Sequence, residues 1–311
     1  MTRNIKEIER LKKSKDFVFL IGNGINRYYD EKAGIKGSSW EELLQETINA
    51  QKIQMNIFAD GKGNTQRIDG ISNPEIFSLS ECGCDGEDKK NIHQLQCDFV
   101  KNLGTKMPNE NKLDGVYEKL LSIGRPVLTT NFDLRMHEGK IFTMKGTDGK
   151  CLNSYYPLYR YFAEHEVSDA CNDFAIWHIH GAASTPSRIQ ISLDNYVGYI
   201  NRIRQVLPDL SDTNKDDKKR EAAAKTWVYA FMTKPLLIVG LGLDIDETML
   251  RWLLIKRKRR NWMEGSSKSI YAYVDDKEMN QGKELFLKQV GIEPLQFKDY
   301  DEMYQTIFET N

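Results

Sequence analysis

Residues 126–133 read Pro-Val-Leu-Thr-Thr-Asn-Phe-Asp. A short, β-branched apolar run that stops abruptly in polar residues is the pattern of a buried parallel strand, covered on both faces, whose end delivers side chains to the carboxyl edge of a sheet. Three other segments share it. Phe17–Ile21 runs into Gly22-Asn23-Gly24, Phe174–Ile179 into His180-Gly181, and Leu236–Val239 into Gly240-Leu241-Gly242. Four strands emptying at one edge predict an α/β fold: a Rossmann-like open, mostly parallel sheet with helices on both faces. Ligands of such sheets bind at that edge, near a reversal in strand order.

Working outward, residues 3–16 carry Ile5, Ile8 and Leu11 at helical spacing, and 113–123 carry Val116, Leu120 and Leu121 before Gly124, a natural helix end. Helices are also expected over Glu221–Met232, Asp246–Ile255 and Glu278–Val290, and further strands at Ser269–Asp275 and Pro294–Phe297. Ser39-Trp40-Glu41-Glu42 has the form of a capping box opening another helix. Residues 51–108 are polar and glycine-dotted, and they separate the first two strands by far more than a crossover requires. The expected organisation is therefore a Rossmann-like domain of residues 1–50 and 109–311 with an inserted, mainly helical lobe at 51–108, mobile near Asp60–Asn64 and Asp85–Lys90. Arg135–Asn153 reads as a hairpin or loop excursion, and the aromatic group Tyr155–Phe162 as core packing.

The chain has 44 basic and 45 acidic residues among 311, a formal net charge of −1. No global field would recruit nucleic acid or an anionic membrane. The five consecutive basic residues Lys256–Arg260 are read as the favourable end of a helix dipole. With no apolar run near the roughly 20 residues that span a bilayer, and no signal-peptide core at the N-terminus, a cytoplasmic location is expected. Five cysteines argue for a reducing compartment rather than a disulfide framework. Cys82, Cys84, His93 and Cys97 are ligand types, but their spacing matches no zinc motif, and a buried thiol is the preferred reading of Cys97. No metal is expected.

Glycines in Gly22-Asn23-Gly24-Ile25-Asn26 would let a phosphate approach the backbone at the start of a helix. The third glycine of a dinucleotide fingerprint is absent, since Arg27 stands there, so this turn alone is weak evidence. Of the two histidines on the third strand, His178 shares a face with Phe174 and Ile176 and reads as a core residue; His180 opens onto the crevice.

Taken together these motifs resemble the sirtuin family in a divergent, SIR2-like form. Gly22–Asn26 is similar to its first glycine loop, Thr130-Asn131-Phe132-Asp133 to its Q-N-x-D motif, and His180-Gly181 to its catalytic H-G pair. Gly240-Leu241-Gly242-Leu243-Asp244 is similar to the later loop that holds the NAD phosphates, and Asp275 falls where the family contacts the adenosine ribose. The resemblance implies NAD as substrate and Asn131 and His180 as the residues essential to activity; Asp133, a carboxylate able to accept from the nicotinamide carboxamide or favour a developing cation, is expected as a third catalytic residue. Two C-x-x-C pairs of the deacylases are missing, because no cysteine follows Cys171. What the resemblance then implies is an NAD-hydrolysing effector of bacterial anti-phage defence; because such an enzyme has to be silent until triggered, control by homo-oligomerisation or a partner protein is expected. The alternatives are a deacylase or ADP-ribosyltransferase sharing the first half-reaction, and a non-catalytic NAD or ADP-ribose sensor.

Overall fold

The computed structural model describes residues 3–35, 40–50, 70–82, 92–107, 112–146, 149–152, 156–207, 217–260, 268–275 and 279–309. Among these residues there are eight strands: β1 (Val18–Ile21), β2 (Val127–Thr129), β3 (Lys140–Thr143), β4 (Arg160–Ala163), β5 (Ile176–His178), β6 (Leu236–Val239), β7 (Ser269–Tyr273) and β8 (Ile292–Gln296). The first six helices are α1 (Arg3–Ser14), α2 (Gly24–Lys32), α3 (Trp40–Ala50), α4 (Asn73–Cys82), α5 (Ile92–Lys106) and α6 (Val116–Ile123). The rest are α7 (Leu193–Val206), α8 (Asp217–Ala224), α9 (Trp227–Thr233), α10 (Thr248–Arg260), α11 (Gln281–Gln289) and α12 (Tyr300–Phe308).

The strands form one sheet in the order β3-β4-β5-β2-β1-β6-β7-β8. From β5 to β8 every neighbouring pair is parallel, whereas β3 and β4 join antiparallel. Without that outer pair, the parallel strands follow the doubly wound order 3-2-1-4-5-6, and the order reverses between β1 and β6. Register aligns the strand ends. Ile21 lies opposite both Thr129 and Val239, and Thr129 opposite His178. Consequently Gly22, Thr130, Ile179 and Gly240, the next residue of each strand, emerge along one line.

Alternation splits the apolar strand residues between two cores. On one face Phe19, Ile21, Val127, Ile176, Leu237 and Val239 pack with α1, α6 and α12 through Ile8, Leu120 and Ile307. On the other, Leu20, Leu128, Trp177 and Ile238 pack with α7, α9 and α10 through Tyr199, Trp227 and Leu253. Covering both faces is what a parallel sheet requires. The stretch after Arg135 does become an antiparallel ribbon. Its second strand, β4, comes from the aromatic group: Tyr161 enters one core and Phe162 the other. Two members of the basic run also work structurally. Arg257 is buried and donates to the Phe231 carbonyl and, at 3.1 Å, to Ser269 Oγ, while Arg260 donates to the Leu207 carbonyl at 2.6 Å.

A third cluster joins Leu43, Leu44 and Ile48 of α3, Ile76 and Phe77 of α4, and Leu95, Phe99 and Leu103 of α5, and it closes on Phe132, Ile189 and Ile191. Thus α3, expected within the Rossmann-like domain, packs with the helices that follow it. The segments 60–64 and 85–90, together with Cys84, lie outside the described residues. Among those described, no helix is long and apolar enough to cross a membrane, and no group of three His, Cys, Asp or Glu side chains is arranged to hold a metal.

Candidate active site

Two glycine turns meet at the reversal point. Gly24 N–H donates to the Gly240 carbonyl at 2.7 Å, and Gly22 N–H to the Val239 carbonyl at 3.1 Å. A Cβ at Gly22 would stand 2.5 Å from the Gly240 oxygen, and one at Gly24 would stand 2.7 Å from Gly240 Cα. Both approaches are far inside van der Waals contact. These glycines are therefore required by the packing of one loop on the other, a reason independent of any phosphate. Beyond them Leu243 holds a left-handed backbone, φ 51°, while its side chain is fully buried. Such strain in a non-glycine residue persists only where its surroundings enforce it.

Over these turns opens a cleft of about 1070 Å³, whose walls include Asn23, Gly24, Thr130, Gly240, Gly242, Leu243 and Asp244. Ile25 and Asn26 lie buried beneath it, and Gly22 forms the turn behind. Asp275 follows β7, is exposed, and is not among the lining residues. Three acidic residues, Asp244, Asp246 and Glu247, line the wall before α10, and Lys283 of α11 reaches Asp244 Oδ1 at 2.7 Å.

Asn131, Asp133 and His180 sit one layer deeper, each almost wholly buried. Asn131 and His180 each stand two residues past a paired position on neighbouring strands, Thr129 and His178, so register alone brings their exits together. The Asn131 backbone is held at both ends. Its N–H donates to Thr129 Oγ1 at 3.1 Å, and its carbonyl accepts from His178 Nδ1 at 2.6 Å. Phe132 is clasped by the third cluster, 5.1 Å from the Trp40 ring and 5.9 Å from Phe99, and its carbonyl accepts from Ala183 N–H. Only the Asn131 carboxamide is left over: among the described residues neither its oxygen nor its nitrogen has a hydrogen-bond partner. The same holds for both ring nitrogens of His180. Buried polar groups are nearly always paired, so these two, at neighbouring strand exits, are the candidates here for contact with a ligand.

Asp133 is different. Its Oδ2 accepts from Asn26 Nδ2 at 2.7 Å and its Oδ1 from the Arg135 N–H at 3.1 Å. The carboxylate thereby pins the first glycine loop to the exit of β2, the geometry of a turn cap that also positions Asn26.

His178 is the core residue its strand face suggested, with a defined tautomer. A carbonyl only accepts, so Nδ1 carries the proton towards Asn131, and Nε2 accepts from His137 Nε2 at 3.1 Å. Burial drives both below the ordinary histidine range: His137 to about 2, and His178 downward against the opposing pull of the Asn131 carbonyl and Asp133. His180 is pushed down to about 4 by burial and is neutral at pH 7. Glu247, missed in the sequence because it falls within the expected helix Asp246–Ile255, lies 3.8 Å from His180 Nε2. Burial, then Asp244 and Asp246, push its carboxyl up to about 7.

These shifts set a stability profile. The three histidines bind fewer protons folded than unfolded below pH 6.5, so their contribution is complete above that value and declines as pH falls. Glu247 has the opposite sign, binding a proton in the folded state between about pH 4.5 and 7. Between pH 5 and 6 the histidines outweigh Glu247, so the net effect is a loss of stability as the pH falls. Urea unfolding should show stability falling steeply below pH 6; a flat profile from pH 5 to 7 would contradict the buried neutral histidines.

The family model described as a SIR2-like domain matches residues 125–295, more than half of the chain, from Arg125 beside β2 through β8. It takes in Asn131, Asp133, His180 and the Gly240 turn, but not the Gly22 turn, which rests on geometry alone. None of the curated proteins matches the chain.

Proposed function

The chain belongs to the SIR2-like domain family, and from that premise we propose that it is an NAD+ glycohydrolase, cleaving the nicotinamide–ribose bond to give nicotinamide and ADP-ribose. The observation that carries this reading is the Asn131 carboxamide, buried and unpartnered among the described residues, with an equally unpartnered His180 at the exit of the neighbouring strand. NAD+ supplies the bond that breaks: its electron pair leaves on neutral nicotinamide, a water oxygen takes its place on the ribose, and one proton is released.

Positive charge grows on the sugar as that bond lengthens, as in glycoside cleavage. The tasks left to this chain are to hold the sugar, orient the water and accept its proton. Asn131 can donate to and accept from a ribose hydroxyl or the attacking water, and the clamp on its backbone keeps it aimed. His180, neutral, is available as the base for the water's O–H. Asp133 positions Asn26 and the loop beneath. Asp244, Asp246 and Glu247 supply negative potential on the cleft wall for the growing positive charge, and Asn23, Gly24, Gly240 and Gly242 line the same cleft as the loops that would take the pyrophosphate.

The same resemblance supports NAD depletion in bacterial anti-phage defence as the cellular role, with control by self-association or a partner protein. The test is incubation of purified protein with NAD+ across a range of protein concentrations, with products identified by mass spectrometry. Nicotinamide and free ADP-ribose are expected; NAD+ left intact at every concentration, with no binding by calorimetry, would sink the reading. Specific activity independent of protein concentration would count against self-association.

A further inference from the structure

We propose that Glu247 is the positioning residue of the site: its carboxylate accepts the Nε2–H of His180, which leaves Nδ1 as the nitrogen that takes the proton. The inference rests on the hydrolase reading and concerns the same site. Glu247 Oε2 stands 3.8 Å from His180 Nε2, slightly beyond hydrogen-bond length, a separation that a small side-chain movement closes. His180 is 3% exposed and Glu247 29%, so the carboxylate bridges the buried ring and the cleft that it lines.

A histidine isolated by burial is a poor base, because the imidazolium it must become is not solvated. An adjacent carboxylate corrects this in two ways. It fixes one tautomer, and it stabilises the cation once the proton has arrived, the logic shared by hydrolases that pair histidine with an acid. In balanced form, one O–H of the attacking water loses its proton to Nδ1 while the water oxygen bonds to the ribose carbon. The electron pair of the broken bond leaves with nicotinamide. The imidazolium keeps Nε2–H on the carboxylate and later gives up the extra proton to solvent.

Other groups around Glu247 fit this role. Tyr196 of α7 packs its ring 5.5 Å from that of His180, and burial, Glu247 and Asp246 hold its hydroxyl protonated. Burial, with Asp244 and Asp246 on the same loop, raises the Glu247 carboxyl, while Lys283 is committed to Asp244 and Arg251 to the Leu243 carbonyl at 3.1 Å. Its ionisation is therefore poised near neutral pH.

The experiment is the pH profile of nicotinamide release for wild type, Glu247→Gln and Glu247→Asp, joined to an NMR titration of labelled histidine without substrate. Glu247→Gln should lower kcat about 10²- to 10³-fold, change KM for NAD+ less than about threefold, and move the acidic limb away from pH 7 towards lower values. Glu247→Asp should restore that limb in part, which a merely structural residue would not do. In the NMR titration, His180 should be an Nε2–H tautomer whose shifts step near pH 7 in wild type and lose that step in Glu247→Gln. An unmoved limb, or an Nδ1–H tautomer indifferent to the substitution, overturns the proposal. If NAD+ is not hydrolysed but the His180 step follows Glu247, the pairing stands and the hydrolase reading fails.

Discussion

Asn131→Ala is expected to reduce nicotinamide release by about three orders of magnitude or more, without lowering the stability of the fold. The first half follows from position. Among the described residues the carboxamide at the end of β2 has neither its nitrogen nor its oxygen committed; in the proposed mechanism it holds the ribose or the water, and losing one oriented group of this kind costs about 10²–10³ in rate. An unaimed water adds to that loss. The second half follows from the same lack of partners. A buried amide with no hydrogen bond costs roughly 1–3 kcal/mol, which the alanine relieves against a small cavity. The urea midpoint of Asn131→Ala should match or exceed that of wild type. Loss of activity accompanied by a substantially lower midpoint would show that Asn131 serves the fold and would remove it from the mechanism. Activity given up with stability kept or gained is the usual signature of a residue retained for chemistry.

The largest loss of stability is expected at Arg135→Ala, roughly 3–5 kcal/mol. Its guanidinium grips Asp30 with both arms, Nη1 to Oδ2 at 3.0 Å and Nη2 to Oδ1 at 2.5 Å, and each side chain is only 4% exposed. Removing one partner strands the other charge out of water, which costs far more than the pair is worth. Replacing both, as Asp30→Leu with Arg135→Met, should cost clearly less than the single change, and a double-mutant cycle should give a coupling of about 2 kcal/mol or more. Additive losses would instead place the effect in Arg135's other contacts. The pair also ties α2, which follows the first glycine turn, to the loop that carries Asn131. Arg135→Ala should therefore weaken NAD+ binding as well, measured by calorimetry under conditions where the variant remains folded.

Much of this arrangement was legible in the chain. The parallel strands announced themselves because a strand covered on both faces is apolar throughout, and Val127–Thr129, Val18–Ile21 and Leu236–Val239 have no polar face to confuse the reading. Their polar ends were equally clear, since a strand that stops at Thr130-Asn131 or His180-Gly181 must stop at an edge. β4 was not clear: Arg160–Ala163 lies among tyrosines that satisfy neither a helical nor a strand period. Glycine turns were visible as such, but not that Gly22 and Gly24 are glycine because Gly240 leaves no room for a Cβ.

Local sequence by itself determined the parallel strands and the residue types at their ends, because both are set by burial patterns a few residues long. Only the tertiary structure decided what those residues do. Register turned separate strand exits into one line, Asn26 took Asp133 for the support of a loop, His137 and His178 fixed the Asn131 backbone, and Glu247 arrived beside His180. Each of these pairs is separated by at least forty residues of chain, and no local pattern can encode a meeting that depends on the order in which strands are laid into a sheet.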